Sequence, residues 1–192
     1  MDEIILDIET VGLPLDEGQR DYFAKSEIGE DSSALWPITG KVCCIGMYNP
    51  RTDNFRQYCG HDEAAMIVAF WQDVSKYRRI VTFNGRGFDV PFLLLRSAIN
   101  NIRPSRKDLM GQRFNSVPHC DLLDQLAFYG ATRKFSLDMF CRAFGIRSPK
   151  ETMAGADVGN AYHAGDLDAI KNYNQLDLLA TAALFGRWKL IA

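Results

Sequence analysis

Residues 4–10 of this 192-residue chain read IILDIET, an apolar run that ends in two acidic residues. The large aliphatic side chains predict a β-strand. Because side chains two positions apart on a strand point to the same side, Asp7 and Glu9 share one face of it. Two carboxylates placed in this way can hold one metal ion between them. Such short acidic patterns also occur by chance, so the significance of this one depends on chemical partners elsewhere in the chain.

Two distant stretches supply such partners, since residues 83–89 read FNGRGFD and residues 173–177 read YNQLD. Tyr173 and Asp177 are four residues apart within a predicted helix, so they lie on the same face. Asp177 is in the middle of that helix, where capping cannot explain it, and an inward carboxylate is costly unless it is paired or bound to a metal. Asp89 is ambiguous, because an isolated Asp before a helix is more often a cap than a ligand.

Length and composition predict a single globular domain over residues 1–192, with 47% hydrophobic and 24% charged residues. No apolar run reaches the length of a membrane span, and the first such run follows Asp2-Glu3, so we expect a cytoplasmic protein that is neither secreted nor membrane-bound. Five cysteines are an odd number. They indicate reduced thiols rather than a disulfide framework.

The overall charge of −2 is not typical of a nucleic-acid-binding protein, but the basic residues are unevenly distributed. We call one group of them the basic strip: Arg86, Arg96, Arg103, Arg106, Lys107 and Arg113. Taken in isolation, such a run favours a solvated surface. Beside a carboxylate metal site, a phosphate-binding role becomes the better interpretation. Lys134 and Lys150 are weaker candidates for phosphate contacts.

Apolar periodicity and turn residues predict an α/β protein. The predicted strands are 3–8, 41–48, 55–59, 79–83 and 116–120, and the predicted helices are 63–77, 89–98, 122–129, 136–144 and 166–188. This order indicates a mixed five-stranded sheet flanked by helices, with Asp7 and Glu9 at the carboxyl end of the first strand, where open α/β sheets bind ligands. We expect the long segments 11–40 and 101–116 to be irregular, functional loops.

The three acidic motifs together resemble those of the DEDD superfamily of 3′-5′ exonucleases, which has a ribonuclease H-like fold. The tyrosine of the third motif is typical of the DEDDy branch, and the second motif is similar to that of the proofreading exonuclease domain of family B DNA polymerases. Further similarity to stand-alone, polymerase-B-related prokaryotic exonucleases occurs at residues 37–42, 119–122, 135–137 and 165–173. One departure is Asn174, where that group often has Cys.

This resemblance implies a metal-dependent 3′-5′ exonuclease that shortens single-stranded DNA and releases 5′-mononucleotides. Two Mg²⁺ or Mn²⁺ ions, about 3.5–4 Å apart in such sites, would act at the phosphate. Asp7 would bridge both ions, Glu9 and Asp177 would complete the nucleophile side, and Asp89 would hold the second ion. Tyr173 would orient the attacking water. The implied substrate contacts are Thr10, Asn84, Arg86 and Phe88.

Two alternatives remain open at this point. An exoribonuclease could use the same five residues, because the metal site acts on the phosphate and not on the sugar. A non-catalytic nucleic-acid-binding domain could keep the fold, although the five filled catalytic positions argue against it. A DNA polymerase or repair partner is also possible. Asp121, at the end of a predicted strand, is either a supporting residue of the site or a helix cap, and we favour the cap.

Overall fold

A mixed five-stranded sheet forms the centre of the computed structural model, which describes residues 2–26, 29–149 and 155–192. Lys150 lies outside these residues. The strands are β1 (Glu3–Gly12), β2 (Gly40–Asn49), β3 (Asn54–Cys59), β4 (Arg79–Thr82) and β5 (His119–Asp121). The helices are α1 (Glu17–Lys25), α2 (Glu63–Val74), α3 (Asp89–Ile99), α4 (Leu122–Leu126), α5 (Leu137–Phe144), α6 (Val158–His163) and α7 (Leu167–Trp188).

The sheet has the order β3-β2-β1-β4-β5, so the first strand of the chain lies at its centre. The β3-β2-β1 half is antiparallel, and the β1-β4-β5 half is parallel. Ile4, Leu6 and Ile8 of β1 pack in the core cluster that includes residues of α2 and α3. Ile5 faces the other side, towards α7. The alternation of side chains therefore sends Asp7 and Glu9 to the α7 side of the sheet.

The predicted strands and long helices are confirmed, with the fifth strand starting later than expected. The first strand ends at Gly12 and not at residue 8, because its pairing with β2 continues that far, so the expectation that Asp7 and Glu9 lie at its carboxyl end was wrong. Asp62 and Asp166 cap α2 and α7, and Gly145 ends α5 in the left-handed conformation with φ of 65°. The expectation that 11–40 is irregular was wrong, since α1 and a 3₁₀ helix at Glu30–Leu35 lie within it. Among the described residues, no helix combines the length and apolarity that crossing a membrane requires.

The basic strip is not the continuous cationic surface that the sequence suggested. Arg96 is buried, and its Nη2 and Nε lie 2.6 and 2.9 Å from the carboxylate oxygens of Glu63. The same carboxylate accepts a hydrogen bond from the main-chain N–H of Val42. Arg106 pairs with Asp108. The Arg96–Glu63 pair therefore ties α3 to α2 and to β2, and the assignment of Arg96 to a phosphate-binding strip was wrong.

Candidate active site

Three carboxylates converge where β1 and α7 meet. One oxygen from each of Asp7, Glu9 and Asp177 lies within 4.8 Å of the others. They border a cleft of about 360 Å³ that also includes Tyr173 and Asp89. The period of two on β1 and the i,i+4 spacing on α7 are what direct these groups to one place. The structure thus brings all five residues of the expected catalytic set to one cleft.

Asp89 reaches the cleft by a different route from the other carboxylates. It is the first residue of α3, whose N-cap is Phe88, and its Oδ1 accepts a hydrogen bond of 3.1 Å from the N–H of Ile8. β4 pairs with β1 only over residues 3–5. Beyond Ile5, the edge of β1 that faces β4 therefore has no strand paired to it, although β2 still pairs with the opposite edge. Asp89 takes up a main-chain donor there. Asp89 is therefore not a simple helix cap, which was the alternative that the sequence left open.

The electrostatics of the cleft oppose four ionised carboxylates. Burial, followed by the charge of neighbouring carboxylates, raises the pKa of Asp7 and of Glu9 well above the usual range. Burial is also the main cause that raises the pKa of Asp89 to about 7, with hydrogen bonds from main-chain N–H groups working against it. Burial and then the Asp177 charge raise the pKa of Tyr173, so its phenol stays protonated at neutral pH.

The donor set fits a hard divalent cation. Glu9 Oε1 is buried and accepts no hydrogen bond from any of the described residues. A buried carboxylate oxygen in this situation is costly. Carboxylate oxygens are the ligands that Mg²⁺ and Mn²⁺ prefer, and a cation would compensate the mutual repulsion of the cluster. Asp7, Glu9 and Asp177 could therefore hold such an ion, with Asp89 beside them.

Asn174 is a site residue whose significance the sequence did not reveal. Its side chain is fully buried, and its Nδ2 donates to Asp7 Oδ2 at 2.9 Å. Gln57 of β3 in turn donates to Asn174 Oδ1 at 3.0 Å. One available signal was its position three residues before Asp177, which places both on the same side of α7. Nothing in the sequence indicated Gln57, because its approach depends on strand register.

The four expected substrate contacts fall into two groups. Asn84 and Phe88 line the carboxylate cleft. Arg86 instead lies in a neighbouring cavity, where its guanidinium donates to the main-chain oxygens of Gly111, Gln112 and His119. The hydroxyl of Thr10 donates to the main-chain oxygen of Ala34 at 2.7 Å.

Asp121 is the helix cap that the sequence favoured, and it also supports the site. Its Oδ1 accepts from the N–H of Leu123, which confirms it as the N-cap of α4. The same carboxylate accepts from the N–H groups of Asn84 and Arg86, both at 2.9 Å. Asp121 thus fixes the loop that carries Asn84 into the cleft. Beside it, Arg113 and Lys134 both pair with Asp124.

Comparison with known proteins identifies a sequence family and a similar fold. A sequence model described as "Predicted 3'-5' exonuclease related to the exonuclease domain of PolB" matches residues 51–192. No curated protein matches the chain. A family B DNA polymerase from the hyperthermophilic archaeon Pyrobaculum calidifontis is similar in structure, with a TM-score of 0.69 and 18% identity over 96% of this chain and 24% of that one.

The chain therefore spans about a quarter of the length of that polymerase, and the likeness concerns the fold. It confirms the α/β, ribonuclease H-like architecture, in which three antiparallel strands continue into two parallel ones. The family match covers most of the chain, including the second and third acidic motifs. The chain belongs to the family of predicted 3′-5′ exonucleases related to the exonuclease domain of PolB.

Proposed function

We propose that this protein is a metal-dependent 3′-5′ exonuclease that acts on single-stranded DNA and releases 5′-mononucleotides, and that residues 1–192 form one such domain. The observation that carries the proposal is the convergence of Asp7, Glu9 and Asp177 beside Asp89 and Tyr173. The uncompensated Glu9 oxygen supports a cation at this place. Membership of the exonuclease family supports the reaction class.

In this proposal Asp7, Glu9 and Asp177 would hold one Mg²⁺ or Mn²⁺ ion, and Asp7 together with Asp89 would hold a second. When bound, the two cations lower the pKa of the attacking water and compensate the charge on the entering and leaving oxygens. The carboxylates themselves would place these charges beside the middle of β1, just beyond the residues that pair with β4. The phenol of Tyr173 is protonated at neutral pH, so it would donate a hydrogen bond that orients the water instead of removing the water's proton.

The remaining walls of the cleft suit an unpaired 3′-terminal nucleotide. Phe83, Phe88 and Phe135 line it together with Leu123 and Leu137. Aromatic and aliphatic side chains bind the faces of unstacked bases without regard to sequence, as expected for an exonuclease. Asn84 has a positive φ of 63° and an exposed side chain at the rim, which suits a contact with the terminal nucleotide.

The direct test uses single-stranded DNA and RNA of one sequence, each labelled at its 5′ end, with Mg²⁺ or Mn²⁺. We expect a ladder of stepwise shorter DNA and 5′-mononucleotides among the products. Asp7→Ala should abolish shortening. Asp168→Ala, which removes an exposed carboxylate on the same helix as Asp177, should leave it intact. Faster loss of RNA would favour an exoribonuclease. Binding without shortening under either metal would overturn the enzymatic proposal.

A second variant tests the role of the phenol. Tyr173→Phe keeps the ring and removes the hydroxyl, so the fold and metal binding should persist. A lost hydrogen bond to a charged group costs about 1.5–3 kcal/mol, which corresponds to roughly a 10–100-fold lower rate of cleavage. An unchanged single-turnover rate would exclude Tyr173 from the reaction.

A further inference from the structure

A row of three residues crosses the sheet beside the carboxylate cluster. Asp7 of β1 lies opposite Gly46 of β2, and Gly46 lies opposite Gln57 of β3. Asn174 of α7 lies over the middle of this row. A Cβ atom at position 46 would be only 1.8 Å from Asn174 Oδ1, so the absence of a side chain at Gly46 is what lets Asn174 reach the sheet.

Along this row, each side-chain amide donates a hydrogen bond towards Asp7. Gln57 Nε2 donates to the main-chain oxygen of Lys171 at 2.8 Å and to Asn174 Oδ1 at 3.0 Å. A main-chain carbonyl can only accept, so Lys171 fixes which end of the Gln57 amide faces α7. Asn174 must then accept through Oδ1 and donate through Nδ2.

The other end of the row requires the same orientation. Asn174 Nδ2 donates to Asp7 Oδ2 at 2.9 Å and to the main-chain oxygen of Asp7 at 3.3 Å. Both are acceptors, so a reversed Asn174 amide would present oxygen to oxygen. The row therefore holds one carboxylate oxygen of Asp7 with a neutral donor and leaves Oδ1 for other partners. It also holds the backbone from which Asp7 projects.

We propose that Asn174, oriented by Gln57, is a positioning residue that fixes the Asp7 carboxylate for binding the divalent cation. This inference rests on the proposed function, because it assigns Asp7 to the metal site. Partners of metal ligands that hold them by hydrogen bonds commonly matter nearly as much as the ligands themselves. A space-filling role for Asn174 would not require Gln57 to donate to it, and it predicts a different response to the variants below.

The experiment measures the Mn²⁺ dissociation constant of the whole chain by titration calorimetry, together with kcat, KM and the melting temperature. Asn174→Ala should weaken Mn²⁺ binding by about 10–100-fold. Gln57→Met, which cannot donate to Asn174, should weaken it by a smaller factor. Asn172→Ala is the matched control, because Asn172 is exposed on the same helix, and it should bind Mn²⁺ like the wild type.

Gln57→Glu separates positioning from packing. Its side chain has nearly the same size as Gln, but a carboxylate cannot donate to Asn174 Oδ1 and would draw Nδ2 away from Asp7. Positioning therefore predicts a larger loss of Mn²⁺ affinity for Gln57→Glu than for Gln57→Met, whereas space filling predicts the smaller loss for the isosteric Glu. Because β3 is an edge strand, we expect the Gln57 variants to fold. Their Mn²⁺ affinities therefore test the inference even if Asn174→Ala fails to fold.

Each result supports or overturns the inference. It is overturned if the folded Gln57 variants bind Mn²⁺ within twofold of Asn172→Ala, or if Gln57→Glu is the milder change. A wild type that binds Mn²⁺ but does not shorten DNA overturns the proposed function, while the affinity series still decides the positioning role. A wild type that binds no Mn²⁺ overturns both.

Discussion

Acidification should destabilise the fold through one buried histidine. His119 of β5 is fully buried, with Nδ1 3.0 Å from the main-chain oxygen of Leu109 and Nε2 2.8 Å from the hydroxyl of Thr82. The carbonyl only accepts, so Nδ1 carries the hydrogen and Nε2 accepts from Thr82. The Thr82 hydroxyl oxygen also accepts from the N–H of Gly85, at the turn of the second acidic motif. A proton on Nε2 would remove the acceptor of the Thr82 hydroxyl.

The magnitude follows from the pKa of this imidazole. Burial lowers the pKa of His119 from 6.5 to about 4. The unfolded chain thus binds a proton near pH 6.5, which the folded chain does not bind until about pH 4. The stability that neutral His119 contributes is therefore complete above pH 6.5 and is lost as the pH falls through this window. At roughly 1.4 kcal/mol per pKa unit, the full loss is about 3 kcal/mol.

Urea denaturation of the wild type and of His119→Gln, with EDTA present, measures this effect between pH 7.5 and 4.5. Carboxylates shared by the two proteins cancel in the difference between their unfolding free energies. We expect that difference to be largest at pH 7.5 and to shrink by about 2–3 kcal/mol towards pH 4.5. His163→Gln, at an exposed position, should stay within ~0.5 kcal/mol of the wild type. A difference that does not change with pH would refute the reasoning.

Three further measurements test the core and the site. Arg96→Met leaves the Glu63 charge buried without its partner. In urea denaturation this variant should have an unfolding free energy about 3–5 kcal/mol lower than the wild type. A stability equal to that of the wild type would contradict a buried ion pair. Asp89→Asn keeps an acceptor for the Ile8 N–H but removes a carboxyl whose pKa is raised to about 7. In the absence of metal, this variant should be more stable than the wild type at pH 8 by at least about 1 kcal/mol. It should also lose activity. Because a raised carboxyl pKa costs stability only as the pH rises towards 7, this gain should shrink on lowering the pH to 4, and a constant gain would point to another cause. Mn²⁺ at a hundred times its dissociation constant should raise the unfolding free energy of the wild type by about 2.7 kcal/mol. At the same Mn²⁺ concentration the unfolding free energy of Asp177→Asn should rise by less, and EDTA should reverse both increases. Equal increases in the two proteins would place the ion elsewhere.

Sequence patterns predicted those elements whose buried faces repeat regularly. The strands and the long helices have such faces, and Asp62 and Asp166 cap α2 and α7 where the predicted helices begin. α1 escaped prediction because Phe23 is its only buried residue, which leaves no apolar period to detect. The available signal was the capping box formed by Asp16 and Gln19.

The side of a strand or helix to which a side chain points could be predicted from the sequence. Contacts that depend on where a neighbouring strand ends could not. The placement of Asp7 with Glu9, and of Tyr173 with Asp177, follows from strand and helix periods. Asp89 has the same local pattern as a helix cap. What decides its role is that β4 stops pairing with β1 after Ile5, so that the Ile8 N–H needs another acceptor.

The basic strip failed as a prediction for a related reason. Charges that are close in sequence were assigned to one surface, yet Arg96, Arg106 and Arg113 each pair with a carboxylate. For Arg96 the partner is Glu63, on a different helix. The charge run therefore overstated the cations facing a substrate. Under the proposed function, affinity for a DNA strand would then come more from the metal site and the apolar cleft. This predicts a shallow dependence of DNA binding on salt compared with proteins that neutralise many phosphates.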